Sequence, residues 1–278
     1  MRLTIVAGLA AASLALAGCG GGNDGGDGAD SGENGEGITV GIKFDQPGLG
    51  LKEGAEYHGF DVDVARYVAE KLGYSEDQIT WVESVSAQRE NMIENGQVDM
   101  IVATYSITDS RKERVSFAGP YLVAGQGLLV QDATADITGP ETLDGKKLCS
   151  VAGSTPAERI KEEYAAGVQL QEAQGYSECV ELLASGTVDA VTTDDSILAG
   201  FAAQEQYAGK LKLVGEPFSE ENYGIGVKKD SEMCEKVNEA LTSMIEDGSW
   251  ETFLKDSLGE AYTPNPDQNP PTPGGNCS

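Results

Sequence analysis

Residues 92–104 read MIENGQVDMIVAT and residues 182–194 read LLASGTVDAVTTD, two strings 90 positions apart. Each holds a helix end, a glycine, a Val-Asp pair and a short run of strand type, so each reads as helix, turn, strand. An opening strand precedes each copy, ITVGI at 38–42 and KLCSVA at 147–152. After the first of these, FDVDVARYVAEKL at 60–72 puts Val64, Tyr67, Val68 and Leu72 on one helical face, with Gly73 as a stop. A strand at 79–83, a helix over 87–94 and a strand at 98–103 continue the alternation. That order predicts an α/β fold in which a mainly parallel sheet carries helices on both faces. The duplication implies two such lobes.

Both ends lie outside the repeat. Residues 1–18 carry one positive charge at Arg2 and then small and apolar residues, too few to span a bilayer comfortably, which reads as a signal peptide. The run closes on LAGC at 16–19, which resembles the lipobox of bacterial lipoproteins, with Cys19 lipidated as the first mature residue. A diacyl chain supplies the two anchors that stable attachment needs. Residues 19–37 are mostly glycine, asparagine, serine and acid and read as a flexible tether. Residues 263–278 hold five prolines and no aliphatic core residue, so they should run extended along the surface.

Lys+Arg 19 against Asp+Glu 46 gives a formal charge of -27, and loss of Arg2 with the signal peptide makes it 18 minus 46, or -28. Such a chain repels phosphate backbones, which argues against nucleic-acid binding. Apart from Cys19 there are four cysteines, Cys149, Cys179, Cys234 and Cys277, and outside the cell they allow three pairings. Cys149 with Cys179 and Cys234 with Cys277 is preferred. A bridge between the mid-chain and C-terminal sets would staple lobes that must move.

Ligands of open α/β sheets bind beyond the carboxyl ends of the strands. Here those ends fall at Lys43 and Phe44, at 104–106, at 153–155 and at Asp194 and Asp195. In GSTPAE at 153–158, Thr155 reads as N-cap, Pro156 as first helical residue and Glu158 as the capping-box partner. A helix start of this kind attracts anions. The single histidine, His58, has no ligand-spaced partners, so no metal site is expected. No phosphate-binding glycine loop follows a strand and GxSxG is absent, which weakens an enzyme reading.

HGFDVDVA at 58–65, NGQVDMIVATYSITDSRKERVSFAGPY at 95–121, VAGST at 151–155, VDAVTTDDSILAG at 188–200 and YGIGVKK at 223–229 together resemble one family. It is the amino-acid-binding branch of the periplasmic solute-binding proteins, the receptors of polar amino-acid ABC importers, and within it the glutamate/aspartate-binding lipoprotein type. The resemblance implies a two-lobed fold with two hinge strands, lobe 1 at 38–128 plus 222–262 and lobe 2 at 129–221. It implies a monomer without cofactor or enzymatic activity, held at the cell surface through the lipid alone. The ligand, L-glutamate or L-aspartate, is trapped between the lobes, and ABC permease subunits read the closed form.

Carried over by position, the resemblance gives Arg111, in TDSR at 108–111, the ligand α-carboxylate, a task that suits a guanidinium fork. Thr104 and Ser106 match positions around the α-amino and α-carboxyl groups, Thr155 opens the helix of lobe 2, and Asp194 receives the α-ammonium, with Asp195 its neighbour and competitor. Lys43, and Ser86 with Arg89 in SAQR at 86–89, match the positions that hold a side-chain carboxylate. Tyr176 matches a polar contact from lobe 2. The first basic position is Lys rather than Arg, a point charge in place of a fork, which leaves glutamate against aspartate open. A glutamine or asparagine receptor and a secreted cyclohexadienyl dehydratase-like lyase are the alternatives. The lyase would need an aromatic-lined pocket.

Overall fold

The computed structural model describes residues 37–164 and 166–278. The expected signal peptide, Cys19 and all of the tether but its last residue lie outside the described residues. The chain opens with β1 (Ile38–Ile42), then three short strands, β2 (Asp45–Gln46), β3 (Gly50–Glu53) and β4 (Glu56–His58), and α1 (Phe60–Lys71). It continues through β5 (Ile79–Glu83), α2 (Arg89–Glu94), β6 (Met100–Ile101), α3 (Asp109–Lys112), β7 (Val115–Ala124) and β8 (Gln126–Gln131). The second half runs β9 (Lys147–Val151), α4 (Thr155–Arg159), β10 (Gln169–Ala173), α5 (Tyr176–Ala184), β11 (Ala190–Asp194), α6 (Asp195–Ala202) and β12 (Leu211–Val214). β13 (Glu221–Lys228), α7 (Met233–Glu246) and α8 (Ser249–Leu258) close it.

Two five-stranded sheets result, β5-β1-β6-β13-β7 and β10-β9-β11-β8-β12, beside a small sheet of β2, β3 and β4. In each large sheet the first three strands pair in parallel, and the last two join through antiparallel pairings. The parallel trios have the same order, second strand, first strand, third strand, and β6 and β11 are the strands of the two repeated strings. Their burial follows from position: β11 is buried at every residue, as a central strand covered on both faces must be. The strand expected at 98–103 shortens to Met100–Ile101, and the helix expected over 87–94 begins as a 3-10 turn at Ser86–Gln88 before α2.

The chain crosses between the sheets at Gly125, between β7 and β8, and returns between β12 and β13. Cys149 of β9 is joined to Cys179 of α5, which pins that helix to its sheet, and Cys234 of α7 is joined to Cys277. The C-terminal segment follows β7 in the opposite direction. The Asn269 side chain accepts from Val123 N and donates to Val123 O, both at 2.9 Å; Gly274 N donates to Gly119 O at 3.0 Å; Asn276 O accepts from Phe117 N at 3.0 Å. Near the start of β7, Ser116 donates to Cys277 O. In the core beneath, Phe60, Tyr121 and Trp250 pack ring against ring, and Trp250 Nε1 donates to Tyr121 O at 2.6 Å.

Candidate functional site

The strand ends of both sheets meet around a small cavity of about 10 Å³, roughly the space of one water. The first-sheet side contributes Ser86, Arg89, Thr104, Ser106 and Arg111, and the second-sheet side Ser154, Thr155, Pro156, Tyr176, Asp194 and Ile197. Eight of the nine residues expected to hold ligand therefore line one cavity. Lys43 stands one layer back. Its Nζ donates to Ser86 Oγ at 2.9 Å, so it reaches the cavity through that hydroxyl.

Arg111 sits on α3, whose N-cap Thr108 accepts from Arg111 N at 3.3 Å. Its guanidinium donates to Ser106 O at 2.7 Å and, across the cavity, to Gly153 O at 3.1 Å. Its Nε lies 3.4 Å from Glu90 Oε1. Arg89, the first residue of α2, donates to the same Ser86 hydroxyl at 3.2 Å, and among the described residues its Nε has no hydrogen-bond partner. Burial and the neighbouring Arg111 lower the Arg89 pKa; burial and Arg89 hold Lys43 well below the usual lysine range. The cations strain one another, and an anion between them would relieve that strain.

Thr104 is held in the left-handed region at φ 47°, a conformation a β-branched residue adopts only under constraint. The constraint is Asp61, fully buried on the first turn of α1, which accepts from Thr104 N at 2.8 Å and from the Tyr121 hydroxyl at 2.7 Å. Burial pushes the Asp61 pKa up to about 6. Asp61 lies within the string HGFDVDVA, yet an acid on a helix's first turn reads as a dipole partner in solvent, and only its burial reveals this task.

On the opposite side Asp194 ends β11 and is 3% exposed. One oxygen accepts from the Tyr223 hydroxyl at 2.6 Å, and the other has no hydrogen-bond partner among the described residues. Burial, then repulsion from Glu221, raises its pKa well above the ordinary carboxylate value. Asp195 turns away, accepting from Gly125 N at 3.2 Å at the crossover. Tyr176 opens α5, 3% exposed, and burial pushes its pKa up to about 12. The cap of α4 is Ser154, not Thr155 as expected: the Ser154 hydroxyl accepts from Ala157 N at 3.2 Å, and Thr155 is the first helical residue. Proline fits the second helical position as well as the first, so STP permits either cap. Freed from capping, the Thr155 hydroxyl shares a hydrogen bond with Ser106 Oγ at 3.1 Å and donates to Glu221 at 2.8 Å.

The sides touch directly. Asp45, in β2, accepts from Ser177 N and Oγ at the start of α5, at 3.1 and 3.0 Å. Gly153, at φ 74°, lies so near Ala87 that a methyl in place of its hydrogen would sit 2.7 Å from the Ala87 Cα. The strand ends at 104–106 and 153–155 contain Tyr105 and Ser154, but neither of these, nor Pro156 and Ile197 in the lining or Asp61 and Glu90 behind it, was singled out from the sequence as a site residue.

With this geometry in view, the relatives can be compared. A glutamate-binding protein, GluB, from Corynebacterium efficiens is 49% identical over 235 residues, which are 80% of this chain and 79% of the relative. The glutamine-binding protein GlnH of an ABC transporter in Bacillus subtilis is 37% identical over 227 residues, covering 80% of this chain and 81% of GlnH. Among solved structures, an ancestral arginine-binding protein bound to arginine superposes with a TM-score of 0.74 at 34% identity, over 80% of this chain and 98% of that one. The GluR0 ligand-binding core from Nostoc punctiforme, in complex with L-glutamate, gives 0.71 at 26% identity, over 80% of this chain and 99% of that one. One two-lobed architecture thus serves different ligands. The model of bacterial extracellular solute-binding proteins, family 3, matches residues 38–260, and this chain belongs to that family.

Proposed function

We propose that the protein is a receptor that binds L-glutamate, with aspartate second, between two lobes and delivers it to ABC permease subunits. It acts by binding, as a monomer outside the cytoplasm, tethered through a lipid on Cys19. The lobes follow the sequence reading, 38–128 plus 222–262 and 129–221, with the bounds moved to the crossings near Gly125 and before β13, so that all of β8 goes with the second lobe and Glu221 with the first. In this reading Arg111 takes the α-carboxylate with Ser106 and Thr155, Asp194 takes the α-ammonium beside Thr104, and Arg89, Ser86 and Lys43 take the side-chain carboxylate. Tyr176 contacts the ligand from lobe 2. A ligand touching both sides favours the closed form, by no more than its differential affinity for it.

The carrying observation is Arg89. A buried guanidinium lines the cavity beside Arg111, with Lys43 behind it, two cations more than an α-carboxylate requires. The kinship with GluB supports the same ligand. Kinship with GlnH keeps glutamine as the second reading. The lining is polar except for Pro156, Ile197 and the Tyr176 ring, which favours a zwitterion over the aromatic substrate of a lyase.

Titration calorimetry with a panel of amino acids decides. Glutamate is expected to bind tightest, and Lys43→Met is expected to weaken glutamate about tenfold while leaving glutamine nearly unchanged. Binding of arginine or histidine without glutamate or aspartate overturns the reading.

A further inference from the structure

Tyr105 lies between two cavity residues, Thr104 and Ser106, but does not itself line the cavity. Its fully buried ring carries both guanidinium groups of the site: the Arg89 Cζ is 4.7 Å and the Arg111 Cζ 5.0 Å from its centroid. Its hydroxyl donates to Glu90 Oε1 at 2.7 Å, the same oxygen that lies 3.4 Å from Arg111 Nε. On the far side the ring stacks edge-on against Phe117 at 4.7 Å. Space for it is reserved by Gly226 of β13, where a methyl would sit 2.7 Å from the Tyr105 Cε1. The ring is therefore fixed on several sides.

Two guanidinium groups over one ring would separate by mutual repulsion unless something attracts both. An aromatic face does so through its quadrupole, the more strongly where water is excluded. Glu90 adds a carboxylate on the Arg111 flank. Both cations are thereby held to one rigid body, at a separation of no more than about 10 Å between their Cζ atoms.

We propose that Tyr105 is a positioning residue for specificity: its ring holds Arg111, the α-carboxylate donor, and Arg89, the side-chain carboxylate donor, at a fixed spacing, and this spacing selects the length of the acidic amino acid. The proposal rests on the glutamate reading above. Aspartate, one methylene shorter, cannot engage both guanidinium groups at that spacing as well as glutamate does. Without the ring the spacing relaxes and the preference between the two diacids fades.

The test is calorimetry on the full chain with L-glutamate, L-aspartate and L-glutamine, using Tyr105→Leu, Tyr105→Phe and Tyr105→3,4,5-trifluoro-Phe. Thermal melting records folding. Tyr105→Leu is expected to weaken glutamate about tenfold and bring the glutamate-to-aspartate ratio towards one, whereas Tyr105→Phe keeps the ratio within about threefold. The trifluoro ring keeps the shape but drains the quadrupole, so it should follow Leu, and it decides the matter if Tyr105→Leu does not fold. A ratio unchanged with the trifluoro ring, or a loss in Tyr105→Phe as large as in the trifluoro variant, overturns the proposal. If the wild type binds glutamine and not glutamate, the glutamate reading fails by itself. The same series read on glutamine then tests the Arg111 half of the platform.

Discussion

The two sides of the cavity are built on opposite plans. The first-sheet side holds all three cations, Lys43, Arg89 and Arg111, and secures them with its own groups, Ser86, Ser106 O, Glu90 and the Tyr105 ring. Among the described residues no lysine or arginine lines the cavity from the second-sheet side. There Asp194 and Thr155 are held by Tyr223 and Glu221, both on β13, which belongs to the first sheet. In the proposed reading the grip on carboxylates is thus built mostly within one side, with Gly153 O and Thr155 added from the other, whereas the grip on the ammonium is assembled across the gap. In that reading an acidic ligand docks on the preformed cations first, and closing the gap then brings Asp194 into register.

Removing a preformed cation should break this scheme most severely. Arg111→Ala leaves the ligand α-carboxylate without its fork, and because breaking a buried ion pair costs about 3–5 kcal/mol, affinity for every amino acid should fall by ~100-fold or more. Retention of any amino acid at near wild-type affinity in calorimetry would show that the first side is not the anchor.

The cross-gap group should matter less and in a pH-dependent way. Asp194 has a raised pKa in the ligand-free protein, and an ammonium ligand favours its ionised form, so binding in mildly acid solution releases a proton and affinity falls as pH falls. Asp194→Asn should cost about 2 kcal/mol, roughly 30-fold, at neutral pH and abolish that proton release. Calorimetry in buffers of different ionisation enthalpy measures it; equal proton release in wild type and variant contradicts the assignment.

Asp61 is expected to have the smallest effect on affinity and a signature in stability. Its folded pKa of about 6 lies above the ordinary value of 3.8, so between these pH values the folded chain binds its proton more tightly than the unfolded one. That contribution is present in full below about pH 4 and is lost as pH rises through 6. An asparagine can still accept from Thr104 N and donate to the Tyr121 oxygen, so Asp61→Asn should change affinity by about threefold or less and flatten this slope. Urea unfolding at pH 4, 5, 6 and 7 reads it, and parallel slopes for both proteins refute it.

Much of this was legible in the residues. The repeat at 92–104 and 182–194 names the two matching strands, and the strand-end rule leads to Thr104, Thr155 and Asp194 at one cavity. What stayed hidden depends on three dimensions. Tyr105 has the pattern of any buried strand residue, and nothing local distinguishes a ring under two guanidinium groups from one under leucines. Asp195 and Asp194 are alike until the turn into α6 aims one at the cavity and the other at Gly125. The 263–278 segment has no periodicity because its contacts are largely main-chain and amide bonds along β7.

That segment bears on how the molecule behaves in a crowd. β7 pairs with β13 on one flank only, and a bare flank of a long strand invites pairing with a second chain. The residues from Asn269 onward occupy that flank, anchored through Cys234 and Cys277, and the three prolines among them, Pro270, Pro271 and Pro273, lack the N–H groups that a further strand would need. A stretch whose composition looks like filler is in effect a selvedge, finishing the β7 edge of the sheet against pairing with another strand.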